Sequence, residues 1–87
     1  RAGAEVEALG EGVFQVRPHL APPEITTVRF THGLQGKVDC TDTASFQEFF
    51  IVPLTLFPEE LPATYCVYGM DAAGNTTPVE TVQIPRK

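Results

Sequence analysis

Eight prolines are spread along the 87-residue chain, and they limit the secondary structure that it can form. A proline inside a helix removes a backbone hydrogen bond and clashes with the preceding turn. No stretch of the chain keeps an apolar repeat of 3.6 residues over three turns, so a long helix finds no support. Short segments with alternating apolar residues lie between the prolines and glycines instead. The predicted fold class is therefore all-β.

The spacing of these segments predicts about seven antiparallel strands in two sheets, which is typical of a β-sandwich. Residues 12–87 are predicted to form this single domain, and residues 1–11, with Val6 and Leu9, a linker or an edge segment. The strands are predicted at Val13–Arg17, Ile25–His32, Lys37–Thr41, Phe46–Leu56, Ala63–Met70 and Pro78–Ile84. Side chains expected to share a face or point inward are Phe14 with Val16, Val28 with Phe30, Val38 with Cys40, Tyr65 with Val67, and Val82 with Ile84.

One segment, Phe46 to Leu56, has the clearest alternation in the chain. Its even positions form an apolar stripe that only Glu48 interrupts, which favours a strand with one face on the core. Pro53 has no N–H to donate, so we expect an edge, a bulge or a switch between sheets at that point. The stripe consists of Phe46, Phe50, Val52, Leu54 and Leu56.

The two cysteines, Cys40 and Cys66, each lie in a predicted strand. Strand order places these strands next to each other in one sheet of a sandwich, where a structural disulfide would join them; two unpaired thiols are the alternative. The bond would contribute roughly 3 kcal/mol by the chain-entropy model. Cys66 is out of phase with Tyr65 and Val67, so the bond is expected on the less buried face of its strand.

Charge and hydropathy exclude two classes of partner. The formal net charge is −5 and the pI about 4.8, whereas binding to a phosphate backbone needs clustered Lys and Arg. No apolar run approaches the ~20 residues that span a bilayer. We therefore expect neither nucleic-acid binding nor a membrane span in this segment. The opening Arg1 and the closing Pro85-Arg86-Lys87 indicate a segment of a longer protein.

The residues that could carry chemistry do not form a catalytic pattern. Ser45 is the single serine, and it lies outside any G-x-S-x-G motif. His19 and His32 are isolated histidines, each expected to be exposed or loosely capped. We therefore predict no catalytic residues and no cofactor, and we expect that the chain is not an enzyme.

The segment Asp71-Ala72-Ala73-Gly74-Asn75 is predicted to be a structural turn. Asp accepts hydrogen bonds from nearby backbone N–H groups, and Gly and Asn tolerate positive φ. Asp39, Asp42, Asp71 and Asn75 also carry the oxygen ligands that Ca²⁺ prefers. Their spacing does not match an EF-hand, so Asp71, Gly74 and Asn75 are predicted to have a structural role, and no metal site is predicted.

The residues from Ala63 to Thr77 read Ala-Thr-Tyr-Cys-Val-Tyr-Gly-Met-Asp-Ala-Ala-Gly-Asn-Thr-Thr. This resembles the last-strand pattern of bacterial immunoglobulin-like and fibronectin-III-like repeats, Gly-x-Tyr-x-Val-x-Val-x-Ala-x-Asp-x-Ala-Gly-Asn. The cysteine pair is not typical of those repeats, and no Trp is present to anchor the core. The resemblance implies an immunoglobulin-like sandwich in a secreted or surface-attached protein, where such modules act as spacers, stalks or adhesive units.

Two functions are expected from these observations. The first is a non-enzymatic structural or adhesive module of a larger extracellular or cell-surface protein, with neighbouring domains as its partners. The alternative is a recognition module that binds a glycan, a protein or Ca²⁺ through the loops at one end of the sandwich. Tyr68, beside Met70, is the clearest aromatic candidate for contact with a glycan.

Overall fold

A computed structural model describes residues 2–20, 25–49 and 52–86. Over these residues the chain is all-β, as predicted. Two single-turn 3₁₀ helices, Thr43–Ser45 and Pro58–Glu60, interrupt the strands, and no helix in the described residues is long and apolar enough to cross a membrane. The strands are β1 Ala2–Gly10, β2 Val13–Leu20, β3 Ile25–Leu34, β4 Gln47–Glu48, β5 Leu54–Leu56, β6 Ala63–Asp71 and β7 Glu80–Ile84.

These strands form two antiparallel sheets, one of three strands in the order β1-β2-β5 and one of four in the order β4-β3-β6-β7. The longest ladder joins β3 to β6, from Ile25 opposite Asp71 to Leu34 opposite Ala63. β1 is the edge strand of the smaller sheet and pairs with β2 along almost its full length. The segment predicted as a linker or an edge segment therefore contains a strand at a sheet edge.

The two sheets share one core, built from alternate side chains of five strands. The ring of Phe30 stacks on that of Tyr65 at 5.5 Å between centroids, and it meets Phe49 edge to face at 6.3 Å. Val82, expected inward, is only half-buried. The predicted inward residues that are buried in the core are Phe14, Val16, Val28, Phe30, Tyr65, Val67 and Ile84. Leu56, Leu61 and Ala63 are buried in the same core.

The prediction of one strand from Phe46 to Leu56 is wrong. The segment divides into β4, which pairs with β3, and β5, which pairs with β2 in the other sheet. Pro53 precedes β5 and cannot donate to a ladder, so the chain crosses between sheets near it. Of the apolar stripe, Leu56 is fully buried while Val52 is 77% exposed. Phe50 lies outside the described residues.

The prediction also fails for a strand at residues 37–41 and for the end of the strand that begins at Val13. Residues 37–41 form a loop, because the Asp39 carboxylate accepts hydrogen bonds from the backbone N–H of Thr41 at 3.0 Å and from its hydroxyl. β2 continues through Pro18 to Leu20 instead of ending at Pro18. β5 pairs with β2 only as far as Val16, so in the described residues one side of β2 has no partner strand at Pro18, and the missing N–H costs nothing there.

The contrast between Leu56 and Val52 tests the sheet switch. Leu56→Ala should lower the free energy of unfolding by about 2–5 kcal/mol, because it removes fully buried methyl groups and leaves a cavity. Val52→Ala should change it by less than about 0.5 kcal/mol, because that side chain is largely in water. Urea unfolding followed by circular dichroism measures both. Equal losses for the two variants would mean that residues 46–56 pack as one strand after all.

Candidate functional site

The disulfide between Cys40 and Cys66 is present, with Cα atoms 6.0 Å apart, in the usual range for such bonds. The alternative of two unpaired thiols is thereby excluded. Cys66 lies in the middle of β6 and is fully buried. Cys40 lies in the loop between β3 and β4 and not in a strand, contrary to the prediction. The bond therefore ties a loop, not a neighbouring strand, to the central strand of the larger sheet.

Cys66 points away from the core residues Tyr65 and Val67, as predicted from its phase. That face of β6 was expected to be the less buried one, yet it is covered here. Phe46, just after the first 3₁₀ helix, is buried and packs its ring against Tyr68 at 5.4 Å between centroids. We call this second apolar group the outer cluster; it comprises Phe46, Cys66 and Tyr68, with Cys40, Met70 and Val79 at its margin.

The turn after β6 is held mainly by the side chain of Asp71. Its Oδ1 accepts hydrogen bonds from the backbone N–H of Ala73 at 3.0 Å and of Asn75 at 2.9 Å, and its Oδ2 accepts one from Asn75 Nδ2 at 3.2 Å. These bonds, those from Asn75 foremost, lower the pKa of the Asp71 carboxyl. Gly74 has φ +90°, a backbone conformation that suits glycine.

Two of the carboxylates that suit Ca²⁺, those of Asp39 and Asp71, are engaged within their own turns. The carboxylate of Asp71 takes three hydrogen bonds, and that of Asp39 takes two from Thr41. In residues 2–20, 25–49 and 52–86, no three His, Cys, Asp or Glu side chains form a group that could hold a metal ion. Turn formation accounts for both aspartates.

The chain returning from this turn is fixed to β6. Thr76 forms a β-bridge with Met70, and the backbone N–H of Thr77 donates to the carbonyl of Gly69 at 2.9 Å. The Thr77 hydroxyl accepts from the N–H of Gly69 at 2.9 Å and donates to the carbonyl of Pro78 at 3.3 Å. Residues 76–79 therefore form a fixed wall beside the outer cluster.

A depression of about 100 Å³ separates this wall from the disulfide-tethered loop, and it is the candidate functional site. We call it the outer depression; it is lined by Thr43, Tyr68, Thr76, Thr77 and Val79. Thr43 belongs to the loop that the disulfide tethers, and Thr76 and Thr77 directly follow the turn 71–75. Tyr68, expected to be exposed, is only 8% exposed, so it lines the depression without offering an open ring face.

The chemistry of the outer depression follows from its lining, which is uncharged and contains three threonines. The exposed Thr43 and Thr76 hydroxyls can donate to and accept from a neutral polar group. Ser45 in the adjacent 3₁₀ helix donates its hydroxyl to the carbonyl of Asp42 at 2.8 Å, so it serves to close a turn. The site is thus suited to holding a small neutral group by hydrogen bonds.

A second cavity, of about 210 Å³, lies where β3 ends beside the 3₁₀ helix Pro58–Glu60. Its lining includes His32, which was expected to be exposed or loosely capped but is half-buried. The imidazole stacks near the ring of Phe30, 6.3 Å away and two residues earlier on the same face of β3. Burial lowers the pKa of His32, and the carboxylate of Glu60 opposes this shift without cancelling it.

No family model, curated protein or solved structure matches the chain.

The disulfide can be tested by its contribution to stability. Replacing both cysteines, Cys40→Ala with Cys66→Ala, should lower the free energy of unfolding by about 2–5 kcal/mol, because the bond restricts the unfolded chain and supports the outer cluster. Chemical unfolding measures the loss, and the reduced wild type should be destabilised to a similar extent. A loss below about 1 kcal/mol would contradict the role assigned to the bond.

The lowered pKa of His32 predicts how the stability of the domain depends on pH. Since its folded pKa lies below the ordinary 6.5, the unfolded chain binds more protons, so its contribution is complete above pH 6.5 and is lost as the pH falls toward the folded pKa. The thermal midpoint should therefore decline as the pH falls below about 6.5, and His32→Gln should remove most of that decline. His19→Gln is the matched control, because His19 is 63% exposed. A decline that His32→Gln leaves intact would refute the assignment.

Proposed function

We propose that the chain is a non-enzymatic structural module of a larger secreted or cell-surface protein, and that it is joined in series to neighbouring domains. The observation that carries the proposal is the course of the chain. The first strand begins far from the end of the sandwich at which the last strand leaves, so a domain on either side would extend the molecule along its long axis.

The end at which β7 leaves is defined by contacts between three segments. The β1–β2 turn approaches the 3₁₀ helix at Pro58 so closely that a Cβ on Gly12 would lie 3.1 Å from the proline ring. Arg86, after β7, donates to the carbonyl of Pro58 at 3.4 Å. β1 begins about 27 Å from this end and runs toward it over nine residues. The molecule measures 41 Å along its longest axis, so the two attachment points are separated by much of its length.

The buried disulfide supports the proposed compartment. Such bonds form and persist in oxidising surroundings and are rare in the cytosol. Cys66 is fully buried, so once the domain has folded a reductant cannot reach its sulfur without local opening. A small domain with one thin core gains stability from such a bond, and outside the cell no chaperone assists its refolding.

The family resemblance supports the same proposal. The residues that carry it, 63–77, form β6 and the turn after it. Constant-type immunoglobulin sandwiches place their fourth strand in the sheet of the first, second and fifth strands. In this chain β4 pairs with β3 in the other sheet, so the four-stranded sheet is the one that contains β3, β6 and β7. The disulfide also differs, since it joins a loop to β6 instead of linking the two sheets.

Single-molecule pulling of the chain, held between two marker domains, tests the structural role. A series module should resist force and unfold in one step, and the disulfide should keep the 26-residue loop closed as the rest extends. The Cys40→Ala/Cys66→Ala variant should then extend by about 90 Å more, at the ~3.5 Å that each extended residue spans. Extension without a resolved force step, in wild type and variant alike, would contradict the proposal.

The alternative is a recognition module, and the outer depression is the observation in its favour. A glycan array, together with native mass spectrometry with and without Ca²⁺, separates the two functions. If the chain has only a structural role, neither measurement should detect a bound ligand. A ligand bound at micromolar concentration, and weakened by Thr43→Ala in the depression, would replace the structural role by recognition.

A further inference from the structure

The free edge of β1 is the longest open strand edge in the described residues. β1 has nine residues, whereas the other edge strands, β4, β5 and β7, have two, three and five. Within its sheet β1 pairs only with β2, and every residue from Glu5 to Gly10 is exposed. A strand edge of this kind presents backbone N–H and C=O groups that another extended chain can bind.

Proteins usually protect such an edge with lysines, a proline, a bulge or a short strand. β1 has no lysine and no proline, and its irregularity lies at its far end, between Ala8 and Gly10. Its charged residues are Glu5 and Glu7, which lie two positions apart and so on one face. The edge is therefore long, open and negatively charged.

A second copy of the chain is a poor occupant for this edge. A two-fold axis perpendicular to the sheet pairs residues of the same face with one another. In the centred register Glu5 would lie opposite Glu7 of the other copy, and the neighbouring registers would place Glu5 opposite Glu5 or Glu7 opposite Glu7. Like charges directly opposite each other destabilise a strand pair. The charge pattern therefore favours a different partner.

We propose that the free edge of β1 binds an extended peptide segment with Lys or Arg at alternate positions. Backbone hydrogen bonds would add the segment to the sheet as a fourth strand, and its cations would pair with Glu5 and Glu7. Glu5 is 65% exposed, and its neighbours on β2 are Arg17, opposite it in the ladder, and His19, whose Nδ1 lies 3.8 Å from its carboxylate. Ala4 and Ala8 lie on the other face, where Ala4 packs against the core, so both glutamates are on the outer face.

The probe is a ten-residue peptide of alternating Lys and Thr, with a peptide of alternating Glu and Thr as its control. Binding to the whole chain is measured by fluorescence anisotropy, and the contact is located by amide hydrogen exchange. The Lys peptide should slow exchange at β1 amides and should bind more weakly as salt is added. The Glu peptide should do neither.

Charge reversal separates strand pairing from general attraction to an acidic protein. Glu5→Lys with Glu7→Lys should weaken the Lys peptide by about tenfold and allow the Glu peptide to bind. Glu11→Lys with Glu59→Lys changes the net charge equally, at exposed positions outside the strands, and should have little effect.

Three results would each overturn the proposal: equal weakening by both double variants, unchanged exchange at β1, or equal binding of the two peptides. Self-association in sedimentation that Glu5→Lys/Glu7→Lys alters would instead assign the edge to a second copy. None of these results bears on the force measurement, so failure of this proposal leaves the structural role to be judged separately.

Discussion

The burial of β6 on both faces is the constraint on which the rest of the structure depends. Every residue from Ala63 to Gly69 is buried, which is unusual for a strand in an antiparallel sheet, since one face commonly meets water. Tyr65 and Val67 pack on the core between the sheets, whereas Cys66 and Tyr68 pack under the β3–β4 loop. β6 needs a cover on its second face, and the disulfide holds that cover in place.

The size of the chain explains why a second apolar cluster matters. A domain near this length buries only about 60% of the surface that its unfolded chain exposes, so a core between two short sheets leaves little margin. The outer cluster adds buried rings without adding strands, and the hydrogen bond from Thr64 Oγ1 to Gln83 Oε1 at 2.8 Å satisfies polar groups next to it. Burial also raises the pKa of the Tyr65 hydroxyl, so that ring stays neutral in the core.

The parts that could be predicted from the sequence are those set by neighbouring residues. The alternation from Ala63 to Met70 indicates a strand, and Asp71, Gly74 and Asn75 specify a turn by their own hydrogen bonds and φ values. The segment 46–56 could not be resolved in this way. Phe46 and Leu56 have the same phase, yet one packs on the outer cluster and the other on the core. Which sheet each end joins depends on partners distant in the sequence.

The outer depression was beyond local prediction for the same reason. Thr43 and Thr76 are typical loop residues. They line one depression with Tyr68 because the disulfide tethers the loop of Thr43 and a β-bridge joins Thr76 to Met70. The outer depression lies on the larger sheet and the free edge of β1 at the margin of the smaller sheet, and β1 also lies close to β6 and β7. In the proposed arrangement, serial attachment uses the ends of the sandwich and strand addition uses its side. A module built this way can hold a lateral partner without disturbing its neighbours in the chain.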